Sequence, residues 1–413
     1  MNNIDGVIKH ISEVVKYDSS QTAPLKGMPF GKGTADCLEY FLNLAKSFGF
    51  ETKNYDNYAG EVIFGEGEEF AILAHLDVVP AGRGWHHEPF GGEIDYANSR
   101  IWGRGTMDDK GPAVIILHCL KQLKDEGIVP SRKIKFILGC NEENGWECIR
   151  YYKQHAVMPD EGFSPDADFP VIYAEKGILQ IELKFPAKGV KYITGGERAN
   201  MVCDYCETYA NGSPLPQGLT LENGKVVSRG KSAHASTPHL GSNAIKPVLK
   251  YLGLDKMYSL LFDNAFNLEN LNDVTGRLTF SPDVIRCDGD YIYVTCDIRF
   301  PSTYGKDDVL STIEAKNISY KVLSYQAPLF NDANCNLIKT LSDTYNEVTG
   351  KHMSPVAIGG GTYARALKCG CAFGPEEEGE ESTIHKPDEY ITFEKIQKCM
   401  QIYKLAIKRL TCK

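Results

Sequence analysis

Phe70-Ala-Ile-Leu-Ala-His-Leu-Asp77 is the stretch that decides the fold class. An apolar run, residues 71–74, ends in His75, Leu76 and Asp77, and Val78-Val-Pro-Ala-Gly82 follows. Such a run reads as a buried strand delivering polar side chains to a loop. His75 and Asp77 stand two apart, so on a strand they share a face. An imidazole with a neighbouring carboxylate suits a metal ligand and the group that orients it. A lone His-x-Asp is more often a hydrogen-bonded surface pair, so this reading rests on the rest of the chain.

Upstream, Ile4, Val7, Ile8, Ile11, Val14 and Val15 recur at helical spacing, as do the apolar residues of 34–48, which end at Gly49. Residues 53–64 read as a strand ahead of 70–75. Downstream lies Ser99-Arg-Ile-Trp-Gly-Arg-Gly-Thr-Met-Asp-Asp-Lys-Gly-Pro112. Its glycines permit tight turns, and Pro112 suits the first turn of a helix carrying Val114, Ile115, Ile116, Leu117, Leu120 and Leu123. Asp108 and Asp109 therefore precede a helix N-terminus, where capping alone would account for one of them.

Residues 133–140 form a further strand that runs into Asn141-Glu-Glu-Asn-Gly145. Adjacent side chains diverge, so of Glu142 and Glu143 one can face a metal and the other a substrate; a charged loop is the plain alternative. Phe163-Ser-Pro-Asp-Ala-Asp-Phe-Pro170 is a turn-rich loop before a short strand, 171–174. The alternation predicts an α/β domain with a mixed, largely parallel sheet flanked by helices. Ligands in such sheets bind at the carboxyl ends of the strands, where His75, Glu142 and Glu143 fall.

From about Gly177 the texture changes. Residues 178–185 alternate, and 286–300 read as a hairpin around Asp288-Gly289. Helices are expected at 241–252 and 306–316. Between them, Ser228-Arg-Gly-Lys-Ser-Ala-His-Ala-Ser-Thr-Pro238 places His234 among small residues. This reads as an inserted α+β lid domain with an antiparallel sheet, expected to span 178–327. Residues 1–177 and 328–413 make up the first domain. Its second part holds a helix at 334–348, the glycine-rich Ala357-Ile-Gly-Gly-Gly-Thr-Tyr-Ala-Arg365, His385 and a closing helix at 393–410. The acidic run 376–381 reads as a solvated loop.

The chain has 413 residues, 42% hydrophobic and 24% charged, with net charge −9. Two cores are affordable at this length. The negative balance argues against nucleic acid or an anionic membrane as partner. Neither a leader nor a membrane span is read. Thirteen scattered cysteines fit a reducing compartment, and a cytoplasmic location is expected. Cys203-Asp-Tyr-Cys206 lacks the two further ligands a zinc site would need.

These pieces in this order resemble the di-zinc metallopeptidase family of aminoacylases, carboxypeptidase G, succinyl-diaminopimelate desuccinylase and bacterial dipeptidases. The motifs are His75-Leu-Asp77, Gly103-Arg-Gly-Thr-Met-Asp-Asp-Lys-Gly111, Glu142-Glu143, the loop with Asp166, Gly230-Lys-Ser-Ala-His234, and His385. Ser164-Pro-Asp-Ala-Asp-Phe-Pro170 and Ile358-Gly-Gly-Gly-Thr-Tyr-Ala-Arg365 are most similar to the dipeptidase V type.

The resemblance implies two Zn²⁺ per chain, with Mn²⁺ or Co²⁺ as substitutes. His75 and Asp166 would bind one, Glu143 and His385 the other, and Asp108 both, across a cis Asp108–Asp109 peptide. Glu142 would be the general base and Asp77 would orient His75. His234 would stabilise the oxyanion. Asn200, Arg299, Gly360, Gly361 and Thr362 would hold the substrate's carboxylate and carbonyl. Charges support the set: two dications are balanced by Asp108, Asp166, Glu143 and one hydroxide. The implied substrate is a dipeptide or another small amide, with N-acyl amino acid deacylation as the alternative activity. Asn200 and His234 stand 34 positions apart, room for the lid segment that lets the dipeptidase V type supply the histidine within one chain; monomer and homodimer both remain open.

Overall fold

The computed structural model describes residues 4–263 and 265–412, so Met1 to Asn3 of the N-terminal stretch lie outside it. Two compact units divide the chain. One comprises Met1–Tyr173, Asn331–Val356 and Thr362–Lys413; the other comprises Ala174–Phe330 and Ala357–Gly361. The glycine-rich 357–361, placed above with the first domain, thus groups with the second unit. The reason is local: the Lys176 N–H donates to the Ile358 carbonyl at 3.2 Å, and a Cβ built on Gly359 would meet the Lys176 side chain at 3.8 Å.

In the first unit the sheet order is Glu51–Tyr55, Ala59–Phe64, Lys133–Gly139, Glu69–His75, Glu161–Ser164, Cys369–Ala372 and the start of Ile172–Glu175. The expectation of a largely parallel sheet holds for its centre. Lys133–Gly139, Glu69–His75, Glu161–Ser164 and Cys369–Ala372 run parallel. The flanking pairs are antiparallel. One cause is the short connection from Tyr55 to Ala59: a tight turn can join only antiparallel strands. Asp56 and Asn57 make that turn with φ of 50° and 60°, so residues 53–64 are two strands rather than the single one expected.

Register positions the site. His75 lies opposite Gly139 on parallel strands, so His75-Leu-Asp77 and Asn141-Glu-Glu143 leave the sheet at one carboxyl edge. The strand Glu161–Ser164 runs the same way and delivers Asp166 two residues later. Behind them the helix Lys110–Asp125 packs on Asp5–Val15 and Phe393–Thr411. Val114 to Leu117 are fully buried, as expected for a helix covered on several sides. Gly111 makes its entry possible, since a Cβ there would sit 1.9 Å from the Thr106 carbonyl oxygen.

The second unit carries an eight-stranded antiparallel sheet among the described residues. Burial along Gly177–Pro186 alternates strictly, with Leu179, Ile181, Leu183 and Phe185 inward. Thr279–Asp288 and Tyr291–Phe300 form the expected hairpin around Gly289. The helices Ile245–Tyr251 and Lys306–Glu314 contribute to its core. Cys203 and Cys206 are buried there as free thiols. No helix among the described residues is long and apolar enough to cross a membrane.

Candidate metal centre and active site

Five side chains of the first unit converge: His75 from the end of its strand, Glu143 and Asp166 from loops just past strand ends, Asp108 from the loop ahead of the helix Lys110–Asp125, and His385 from its turn. His75 Nε2 lies 2.9 Å from Asp108 Oδ1 and 3.5 Å from Asp166 Oδ2. His385 Nε2 lies 2.9 Å from Asp108 Oδ2 and 3.0 Å from Glu143 Oε1. Asp108 thus faces both imidazoles, one with each oxygen. His75 is buried, whereas His385, at φ 60°, leaves half of its side chain exposed. The Asp108–Asp109 peptide is cis.

Asp77 is fully committed. Its Oδ1 and Oδ2 accept the backbone N–H groups of Glu142 and Glu143 at 3.0 and 3.1 Å. His75 Nδ1 sits 3.0 Å from the Asp77 carbonyl oxygen and 3.6 Å from Oδ1. One residue therefore fixes both the imidazole and the two glutamates. Asp109 does not cap the helix that follows it. Its Oδ2 accepts the His75 backbone N–H at 3.1 Å, and its Oδ1 is buried without a hydrogen-bond partner. Glu142 Oε1 accepts the indole N–H of Trp146 at 3.0 Å.

The electrostatics follow from this crowding. Burial works against ionised Asp108, but hydrogen bonds from His385 and His75 outweigh it and hold the group below the usual carboxylate range. Burial lowers His75, yet Asp108, Asp166 and Asp77 hold it well above the histidine range. His385 is likewise raised to about 10 by Asp108 and Glu143 against burial. Glu142 is pushed well up by burial and by the charges of Asp166 and Glu143, against the pull of His75. Glu143 and Asp166 rise through burial first and the charge of Asp108 second.

Six carboxyl groups thus surround two imidazoles, an excess of buried negative charge that a divalent cation offsets. His75, Asp108 and Glu143 offer donor atoms within 4.8 Å of one another, as do His75, Asp109 and Asp166. Imidazole nitrogen with carboxylate oxygen is a zinc-type donor set. The residues present fit a divalent metal.

The remaining predicted residues sit mainly in the second unit. His234 forms a bridge with Met201, and the Ala235 N–H donates to the Asn200 carbonyl at 2.9 Å, so Asn200 and His234 are neighbours. The Ser236 N–H donates to His234 Nδ1 at 3.2 Å. Burial, then the charge of Arg299, lowers the His234 pKa. Arg299 is buried, with Nε and Nη2 on the two oxygens of Asp297 at 2.6 and 3.2 Å. Gly360 and Gly361 belong to the turn that groups with this unit. Thr362, in the first unit, caps the short helix Tyr363–Ala366 by accepting the Ala364 N–H.

The sequence reading missed Trp146 and Glu389. Trp146 carries the one tryptophan beside the glutamate pair, a weak signal. Glu389 follows His385 by four residues and touches backbone almost three hundred positions away, which no local pattern records.

Residues 71–409 match the model of peptidase family M20/M25/M40. A Bacillus subtilis (strain 168) protein provisionally named a dipeptidase, YtjP, is 33% identical over 452 residues, covering 98% of this chain and 97% of its own. The Beta-Ala-Xaa dipeptidase of Lactobacillus delbrueckii subsp. lactis is 31% identical over 459 residues, covering 98% and 96%. The M20 family metallo-carboxypeptidase of Sulfolobus solfataricus superposes with a TM-score of 0.63 at 16% identity, covering 98% of this chain and 99% of its own, a likeness of fold.

Proposed function

The chain belongs to peptidase family M20/M25/M40 and is a metallopeptidase, and from that premise we propose a zinc-dependent dipeptidase. The convergence of His75, Asp108, Glu143, Asp166 and His385 beside Glu142 carries the reading. Relatives named as dipeptidases, matched over nearly their whole length, support the substrate class.

His75 and Asp166 would hold one Zn²⁺, Glu143 and His385 a second, and Asp108 both. Such ions, when bound, acidify water and polarise the scissile carbonyl. Glu142 takes the proton of the attacking water and returns it to the leaving amine. Asp77 fixes the backbone of both glutamates, so the base and its neighbouring ligand share one anchor. A tetrahedral oxyanion needs a donor. A backbone N–H only donates, so the Ser236 contact makes His234 Nδ1 an acceptor and leaves the proton of the neutral ring on Nε2. His234 Nε2–H is that donor. Asn200, Arg299, Gly360, Gly361 and Thr362 bind the substrate's terminal carboxylate and carbonyl. The two bonds from Arg299 to Asp297 orient its guanidinium without using Nη1.

The test compares a dipeptide with its N-acetylated form, with and without chelator. The free dipeptide should be cleaved, the acetylated form spared, and activity lost to chelator and restored by Zn²⁺. Equal or faster cleavage of the acetylated form would make the chain an N-acyl amino acid deacylase.

A further inference from the structure

Neither Asp108 nor His385 belongs to a helix or strand. Asp108 ends a loop entered through Gly103 and Gly105, with φ of 147° and 92°, before the helix Lys110–Asp125. His385 lies in the turn ahead of the strand Tyr390–Thr392. Ligands on loops are positioned only as well as their supporting contacts.

One residue supplies those contacts for the Asp108 loop and stands on the chain four residues past His385. That residue, Glu389, is fully buried. Its Oε1 accepts the backbone N–H groups of Met107, Gly105 and Asp108 at 2.8, 3.1 and 3.3 Å. Its carbonyl oxygen accepts the Gly103 N–H at 2.8 Å. Its Oε2 pairs with buried Arg104 at 2.6 Å. The 103–108 loop therefore wraps around a single internal carboxylate, as backbone nests wrap around anions. Asp388 anchors the same turn elsewhere, accepting the His86 and His87 N–H groups at 2.8 and 3.2 Å.

We infer that Glu389 is a positioning residue that sets Asp108 and His385 in one frame before metal arrives. It is not itself a ligand, because both of its oxygens are spent on the loop and on Arg104. This rests on the metal-centre reading above. Consequently the arrangement that prepays the ordering of two donors lies outside the donor set.

Zn²⁺ affinity, measured by competition with a chromophoric chelator, tests it without reference to turnover, and the visible absorption of the Co²⁺ form reports ligand geometry. In Glu389→Gln the amide keeps one acceptor oxygen but loses the Arg104 pair and turns N–H toward N–H. Its Zn²⁺ affinity should fall about 10- to 100-fold, the usual effect of losing a group that orients ligands. Should that variant not fold, Arg104→Met/Glu389→Met removes both buried charges and the side-chain acceptor together, an apolar exchange that folded proteins tolerate. It should show the same loss of affinity and an altered Co²⁺ spectrum, with the near-ultraviolet dichroism of the folded chain retained. A folded double variant with wild-type affinity and spectrum would overturn the clamp alone. A wild-type chain that takes up no Zn²⁺ would overturn the metal centre and this inference with it.

Discussion

Glu142 and Glu143 are neighbours in sequence with different surroundings, and the proposed roles of base and ligand rest on that difference. Glu143 faces His385 at 3.0 Å, while Glu142 meets only the Trp146 indole N–H among the hydrogen bonds described for its carboxylate. Glu142→Gln keeps the shape and the indole contact but removes the proton acceptor. Turnover should fall at least about 10²-fold, the low end for general-base loss, while metal content by mass spectrometry stays at the wild-type level. Near-normal turnover with metal retained would exclude Glu142 as the base. His234→Ala should lower kcat by about 10²–10³, the effect of deleting one oxyanion donor, with metal content again unchanged. A variant whose KM rises while kcat holds would move His234 from the oxyanion to ground-state binding.

At the scale of elements, the packing of Asp5–Val15 against Lys110–Asp125 contains a histidine pair, His118 buried and His10 half-buried. His10 Nδ1 and His118 Nε2 are 2.9 Å apart, with Phe48 edge-on to His118. Burial, then the charges of His10 and Lys121, lowers His118 to about 3. Burial also lowers His10, with Glu13 raising and Lys9 lowering it. A folded pKa below the unfolded 6.5 means the unfolded chain binds protons first as pH falls. The stability contribution is therefore complete above pH 6.5 and is lost progressively toward pH 3. Between neutrality and pH 5 the loss from His118 should approach about 2 kcal/mol. His118→Phe, beside Phe48, should reduce the difference between urea midpoints at pH 7.5 and pH 5.0. An unchanged difference would show that the pair is not the acid-sensitive joint. The pair also marks the limit of sequence reading. Strands such as Glu69–His75 and Lys133–Gly139 were legible because unbroken apolar runs have few alternatives. The helix Glu147–His155 was not, since it buries only Cys148, Ile149 and Tyr152 among polar residues. The acidic run 376–381 is not merely solvated: Glu377 pairs with Lys351 and Lys398 at 2.8 and 2.9 Å, and Glu380 with Lys395. Partners that distant leave no periodic trace. The residues that converge, His75, Asp108, Glu143, Asp166 and His385, were legible through their motif order, but the contacts that hold them, Asp77 to two backbone N–H groups and Glu389 to three, depend on the folded path of the backbone.

At the scale of the whole molecule, two hydrophobic clusters share no residue. One is built around Phe70, Ile72, Phe136, Val114 and Tyr403, the other around Leu179, Ile181, Val248, Val294 and Phe300. His75, Asp108, Glu142, Glu143, Asp166 and His385 all fall in the unit with the first cluster. A ligand that binds only folded protein stabilises what carries its donors. Calorimetry of the intact chain should therefore resolve two transitions, only one of which responds to metal. With Zn²⁺ at a hundred times its Kd the gain is about 2.7 kcal/mol. For a unit of this size that raises its midpoint by roughly 5–10 °C. The other transition should stay where it is, and chelator should reverse the shift. Both midpoints rising together would mean that the two cores unfold as one cooperative body, and neither moving would deny the first unit its metal.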